Sequence, residues 1–303
     1  MPDWISAIDN NVALTDLAIP GTHDAASWTH TTVWTRNFTW AQRLNFTEQL
    51  DIGIRAFDLR VGWKHRWGSK DIAMFHGPIQ VNDQTLDDVL AEIKAWLDQH
   101  QGEFVILMFQ QQGAPGNKSD CSAEVETVVK KHFRNNRFFS YSPHHFSWPN
   151  VGQLRNRVIV MERLQSRVAG WYDVSSWSDA PTGQLMKIPL HLHVYLQDKY
   201  KDVSDAWVYN TLEYEAKKKI EFVEAAAKAQ RAVIDGKVVY FGELKNVLKI
   251  NHTSYSNKRR QPYESGEAVN ALLCTKKFRI QGIMMIDNAD QTTVDHILQY
   301  NPF

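Results

Sequence analysis

What most constrains this chain is the alternation of short apolar runs with amphipathic helical stretches along nearly all of its 303 residues. The apolar runs predict strands at Leu14–Ile19, Ile54–Val61, Ile72–Phe75, Phe104–Phe109, Val158–Met161, His191–Leu196, Val238–Phe241 and Ile280–Ile286. Several are apolar throughout, as strands covered on both faces of a parallel sheet are. Helical spacing predicts Thr85–Gln101, where Leu86, Val89, Leu90, Ile93 and Leu97 fall three or four apart. Ser122–Asn135, Asp205–Ala232, Gly266–Lys277 and Thr292–Tyr300 read as helices too. Roughly eight strands, most followed by a helix, predict a single α/β barrel, with an open doubly wound sheet as the alternative. No repeat and no Pro/Ser-rich linker divides the chain, so one domain over 1–303 is expected, with loops at Gly113–Asp120 and Asn251–Gly266.

Charge narrows the function. The 34 Lys and Arg balance 34 Asp and Glu, which argues against a broadly basic nucleic-acid binder. No apolar run reaches the roughly 18 residues of a spanning helix. The N-terminal MPDWISAIDNN lacks the basic start and apolar stretch of a signal peptide. Cys121 and Cys274 have no metal-type spacing, and two free thiols are expected, a disulfide being the alternative. Eleven Trp is a large number for a core, and indole suits interfaces that are apolar at one end and wet at the other.

In a parallel barrel, reacting groups stand at the C-terminal ends of the strands. The polar residues there are His23 and Asp24 in IPGTHD, Asp58 and Arg60 in AFDLR, and His76 in FHGP. Further along come Gln110–Gln112, Glu162 and Arg163 in VMERL, Asp198, Lys199 and Tyr200 in LQDKY, and Asp287 in MMIDNAD. Two histidines can serve as general base and general acid, a carboxylate behind each fixes its tautomer, and arginine's planar fork suits phosphate oxygens. Such a set matches in-line phosphodiester transfer without a metal. From the residues alone, Asp58 and Arg60 could equally form a structural ion pair, and Asp287 could cap the helix that follows. His191 and His193 share a strand face, but no third metal ligand is evident.

At IPGTHD, AFDLR and FHGP the sequence resembles the X domain of phosphatidylinositol-specific phospholipase C, most of all the small bacterial type. The resemblance is specific over about the first 110 residues and continues more loosely through VIVMERL, LQDKY and the last strand. It implies a distorted TIM barrel that cleaves phosphatidylinositol to diacylglycerol and inositol 1,2-cyclic phosphate, without cofactor. It implies that His23 is the general base, oriented by Asp287, and that His76, supported by Asp24, is the general acid. Arg60 stabilises the phosphoryl oxygen; Arg163, Asp198 and Tyr200 hold inositol, with Asp58 and Gln111 added to the substrate contacts. Bacterial members carry two Lys and a Glu where Gln110–Gln112 stand here. Calcium-dependent relatives carry carboxylates where Arg60 stands, so a guanidinium there implies a metal-independent enzyme.

A lipid substrate implies a peripheral membrane contact. The segment Ser27–Trp40 offers Trp28, Trp34, Phe38 and Trp40 as a candidate interfacial element, or as aromatics packed on the barrel. The resemblance further implies a secreted monomer, with a cytoplasmic location as the alternative. Two other functions are weighed. One is a metal-dependent phosphodiesterase of the glycerophosphodiesterase or sphingomyelinase D kind, which needs a carboxylate cluster. The other is a non-catalytic inositol-lipid binding module, which needs no acid/base pair.

Overall fold

The computed structural model describes residues 2–29, 39–64, 71–114, 118–134, 137–139, 147–188, 191–201, 203, 211–234, 236–244, 247–255 and 262–303. Its frame is one large mixed sheet. In chain order the strands are β1 (Ala18–Thr22), β2 (Ala56–Trp63), β3 (Ile72–His76), β4 (Ile79–Thr85), β5 (Phe104–Gln111), β6 (Phe138–Phe139) and β7 (Arg157–Arg163). Then follow β8 (Tyr172–Asp173), β9 (Gln184–Ile188), β10 (Leu192–Gln197), β11 (Arg231–Ile234), β12 (Lys237–Tyr240), β13 (Val247–His252) and β14 (Gly282–Ile286). Hydrogen-bonded neighbours run β6-β7-β5-β2-β1-β14-β13-β10-β9, and every pair in that path is parallel except β10 with β9. No pairing joins the two ends of this path among the described residues. The architecture is the α/β barrel that the strand and helix pattern predicts, in the distorted TIM form that the resemblance implies.

The strand sequences account for this. The first six residues of β5, FVILMF, are all buried, as an interior parallel strand requires. Gly21 allows β1 to pass between β2 and β14. A Cβ there would come within 2.5 Å of Met285 Sδ and 2.9 Å of Ala56 Cβ. At the N-terminal end of the barrel, Arg55 donates from Nε to Glu103 Oε2 at 2.9 Å, and neither side chain is exposed. Glu103 also accepts from the backbone amides of Ile5 and Ser6, so one ion pair ties the N-terminal segment to β2 and β5.

Helices pack outside: α1 (Phe46–Ile52), α2 (Leu86–Gln99), α3 (Ser122–His132), α4 (Val151–Leu154), α5 (Leu212–Lys228), α6 (Pro262–Leu273) and α7 (Gln291–Leu298). The α2 stripe Leu86, Val89, Leu90, Ile93 and Leu97 is buried as its spacing predicts. Its start is fixed by a capping box between Thr85 and Asp88. No helix among the described residues is long and apolar enough to cross a membrane. Cys121 and Cys274 are both free thiols, Cys121 buried and Cys274 partly so.

Several expectations change. Leu14–Asp16 is a 3₁₀ turn, and β1 begins only at Ala18. Ile72–Phe75 is no barrel strand: it belongs to β3, which pairs antiparallel with the last residues of β2 and with β4. The eight residues of β2 make this geometry, because their end runs past its barrel neighbours. Val238–Phe241 is not a barrel strand either. It overlaps β12, which forms a separate two-stranded hairpin with β11, itself read as the end of a helix. The barrel strand is β13, whose apolar pattern is interrupted by Lys249. That side chain turns out to the carbonyls of Ala227 and Ala229, at 2.8 and 2.9 Å, and caps the end of α5.

Candidate active site

The C-terminal strand ends surround a cavity of about 440 Å³, lined in part by His23, Asp58, Arg60, His76, Arg163, Asp198, Tyr200, His252 and Asp287. His23 follows β1, and its backbone amide donates to Ile286 O at 3.1 Å, continuing the β1–β14 ladder. Its Nδ1 meets Asp287 Oδ1 at 2.7 Å. Asp287 does not cap a helix. That role falls to Asp290, whose carboxylate accepts from the amide of Thr293 at 2.9 Å. Burial pulls the pKa of His23 down, but the charge and hydrogen bond of Asp287 prevail and hold it above the ordinary 6.5.

Asp24 adopts φ 46°, a left-handed conformation that Asp tolerates, and is 1% exposed. Its carboxylate meets Nδ1 of His76, and its amide donates to Asp58 Oδ2 at 3.0 Å. Asp58 and Arg60 lie two apart on β2 and so share a face. Arg60 donates from Nε to Asp58 Oδ2 at 3.1 Å and from Nη2 to Nε2 of His23. Burial raises the Asp58 pKa, but the charges of Arg60 and His23 lower it to about 2. Burial works against the Arg60 charge as well, yet Asp58 and Asp24 hold its pKa above the usual value. The ion pair therefore exists, and both its members line the cavity, with the guanidinium against His23. Among the described residues, no group of three or more His, Cys, Asp or Glu is arranged to hold a metal ion.

Across the cavity, the Arg163 guanidinium lies 4.3 Å from the Trp177 ring centroid, and Trp177 Nε1 donates to Asp198 Oδ2 at 3.1 Å. The Tyr200 hydroxyl donates to Asp179. The substrate contact expected of Gln111 is corrected. Side chains alternate along β5, so Gln110 and Gln112 line the cavity. Gln111 instead turns out to the backbone of the 118–121 segment, donating to Ser119 O at 2.9 Å. Gln112 accepts from the amide of Gly77 and fixes the turn after His76. Trp34 and Phe38 lie outside the described residues. Trp28 and Trp40 are half-buried, and Trp40 packs on Tyr263 with centroids 4.6 Å apart.

Four residues escaped sequence reasoning. Gln42, fully buried, donates to His23 O at 2.8 Å and Ile286 O at 2.9 Å and accepts from Ala289 N, clamping the backbones that carry His23 and Asp287. Lys219 donates to Gln197 Oε1 and Lys199 O, both at 2.9 Å, behind the turn that carries Asp198; burial lowers its pKa to about 7. Trp177 is the third. His252 at the end of β13 is the fourth, and its polar break in INHTS was the available signal.

Residues 17–164 match the family model described as phosphatidylinositol-specific phospholipase C, X domain. A 1-phosphatidylinositol phosphodiesterase of Listeria monocytogenes is 23% identical over 310 residues, covering 99% of this chain and 85% of the relative. Among solved structures, a variant of the Staphylococcus aureus phosphatidylinositol-specific phospholipase C superposes with a TM-score of 0.75 at 18% identity, covering 100% of this chain and 97% of that one. The Listeria monocytogenes enzyme superposes with a TM-score of 0.68 at 21% identity, covering 100% and 99%.

Proposed function

We propose that this chain, which belongs to the phosphatidylinositol-specific phospholipase C X-domain family, cleaves phosphatidylinositol to diacylglycerol and inositol 1,2-cyclic phosphate without a metal ion. His23 Nε2 takes the proton of the inositol 2-hydroxyl. That oxygen attacks phosphorus in line, the phosphorus–glycerol oxygen bond breaks, and His76 gives the departing oxygen its proton. Arg60 stabilises the charge growing on a non-bridging phosphoryl oxygen, the part a divalent cation plays where carboxylates stand instead. Arg163, Asp198 and Tyr200 hold the ring, and Gln110 adds an uncharged contact.

One observation carries this reading: two imidazoles, each backed by its own carboxylate, face one cavity with a guanidinium touching the first. A binding module needs no such pair. The lipid substrate calls for a peripheral membrane contact, for which the aromatic segment Ser27–Trp40 is our proposal.

Phosphorus NMR of phosphatidylinositol micelles with and without EDTA tests the reaction. A cyclic phosphodiester signal that survives EDTA is expected. Product that appears only with added calcium or magnesium would replace this mechanism with a metal-dependent one. Lipid binding with no product would leave a binding module.

A further inference from the structure

One polar group in the cavity wall takes no part in the chemistry above. His252 closes β13, is 2% exposed and lines the cavity. Its ring stands edge-on to His23, with centroids 5.8 Å apart, and edge-on to Trp177, at 5.4 Å. Its Nδ1 lies 3.7 Å from Asp198 Oδ1, beyond hydrogen-bond reach. Neither ring nitrogen has a hydrogen-bond partner among the described residues. A buried donor and a buried acceptor left unmade are costly, and in native proteins they call for an explanation.

Burial, helped by the charges of His23 and Lys219, outweighs Asp198 and lowers the pKa of His252 to about 4, so the ring is neutral. A neutral imidazole presents one donor and one acceptor, and an alcohol hydroxyl presents the same pair. A phosphate monoester presents acceptors only, and its negative charge would lie against Asp198.

We propose that His252 contacts the substrate and reads the inositol 3-hydroxyl, the neighbour of the hydroxyl that His23 deprotonates. This rests on the phosphatidylinositol reading above. In that ring, carbon 2 has two neighbours: carbon 1 bears the phosphodiester and carbon 3 bears a hydroxyl. Arg60 occupies the phosphoryl side of His23, so carbon 3 falls toward His252 and Asp198. A hydroxyl there donates to Asp198 and accepts from the ring N–H of His252, so one group meets the carboxylate and the orphaned donor together. His252 is then a specificity-determining residue, and it disfavours inositides phosphorylated at position 3.

The test pairs two substrates, phosphatidylinositol and its 3-deoxy analogue in mixed micelles, with wild type, His252→Phe and His252→Leu. Wild type should lose on the order of 10²-fold in kcat/KM on the deoxy substrate, the size of two hydrogen bonds, one of them to a carboxylate. Each variant should lose about tenfold on phosphatidylinositol, the His252 bond alone, and nothing more than wild type loses on the deoxy analogue, a pattern that a purely structural role does not produce. Wild type cleaving both substrates equally well overturns the proposal, whatever the variants do. So does a variant that discriminates as strongly as wild type. If wild type cleaves neither substrate, the phosphatidylinositol reading itself fails and takes the inference with it.

Discussion

The guanidinium of Arg60 donates from Nη2 to Nε2 of His23, the ring nitrogen opposite the one that meets Asp287. Nε2 can accept only if Nδ1 carries the proton, and that proton points at Asp287. The lone pair that Arg60 touches is the one the proposed mechanism uses to take the hydroxyl proton. Substrate therefore replaces a guanidinium–imidazole contact with two others, hydroxyl to imidazole and guanidinium to phosphoryl oxygen. Arg60→Lys should lower kcat/KM by on the order of 10²–10³-fold, because an ammonium cannot span Asp58 and the phosphoryl oxygen as a fork does. Steady-state kinetics decides this, and a Lys variant as fast as the parent would remove Arg60 from the role.

The pH profile follows from the His23–Asp287 pair. Burial lowers the His23 pKa, but Asp287 leads the groups that raise it, and the net value lies above 6.5. As the proposed base, His23 must be neutral, so kcat/KM should fall as pH drops through that raised value, with an acid limb above 6.5. Asp287→Asn should move the limb to lower pH and cut the maximal rate by about 10²–10⁴-fold. The sign for stability runs the other way. A histidine whose pKa is raised by folding contributes stability below its unfolded value and loses it as pH rises through the folded one. Denaturant unfolding should thus show Asp287→Asn destabilised more below pH 6.5 than well above it.

The sequence carries the proposed acid/base half of the candidate site better than the frame around it. His23, Asp24, Asp58, Arg60, His76 and Asp287 are polar breaks at the ends of apolar runs, and a parallel barrel brings such positions to one rim whatever the loops do. Other contributions are long-range and leave no local trace. Gln42 reads as one polar residue in a loop, yet it clamps two strand ends. Lys249 interrupts the apolar pattern of β13, and only the folded chain shows where its ammonium goes. Three adjacent glutamines stand where bacterial relatives carry Lys and Glu, and only the two-residue period of the strand separates Gln111 from the two that line the cavity.

Gly266 predicts a second kind of coupling. It lies on α6, and a Cβ there would come within 2.6 Å of Asp287 Cβ and 3.0 Å of the Asp287 carbonyl. Backbone cannot yield as a flexible side chain does, so Gly266→Ala should push the segment bearing Asp287. Alanine is the better helix former, by about 1 kcal/mol, so an isolated helix would gain from the change. We expect the reverse in the protein: lower kcat, with the acid limb of the pH profile shifted toward lower pH as His23 loses contact with Asp287. A thermal melt and a pH profile of the variant measure both effects, and an unchanged limb would show that the helix moves instead.

The far end of the barrel makes an opposite prediction. Arg55 and Glu103 are both fully buried, and Arg55 also donates to the carbonyls of Leu50 and Ile54 at 2.9 and 2.7 Å. Glu103→Ala leaves a buried guanidinium unpaired and two N-terminal amides without an acceptor, a loss of about 3–5 kcal/mol. These residues precede β2 and β5, whereas the proposed reacting groups follow the strands, so the damage should not reach the chemistry. Urea unfolding should show the full loss, while kcat per folded molecule at low temperature stays at the parent value. A variant with normal stability would mean that the ion pair is no better than its desolvation cost, and a fall in kcat would mean that the two ends of the barrel are coupled.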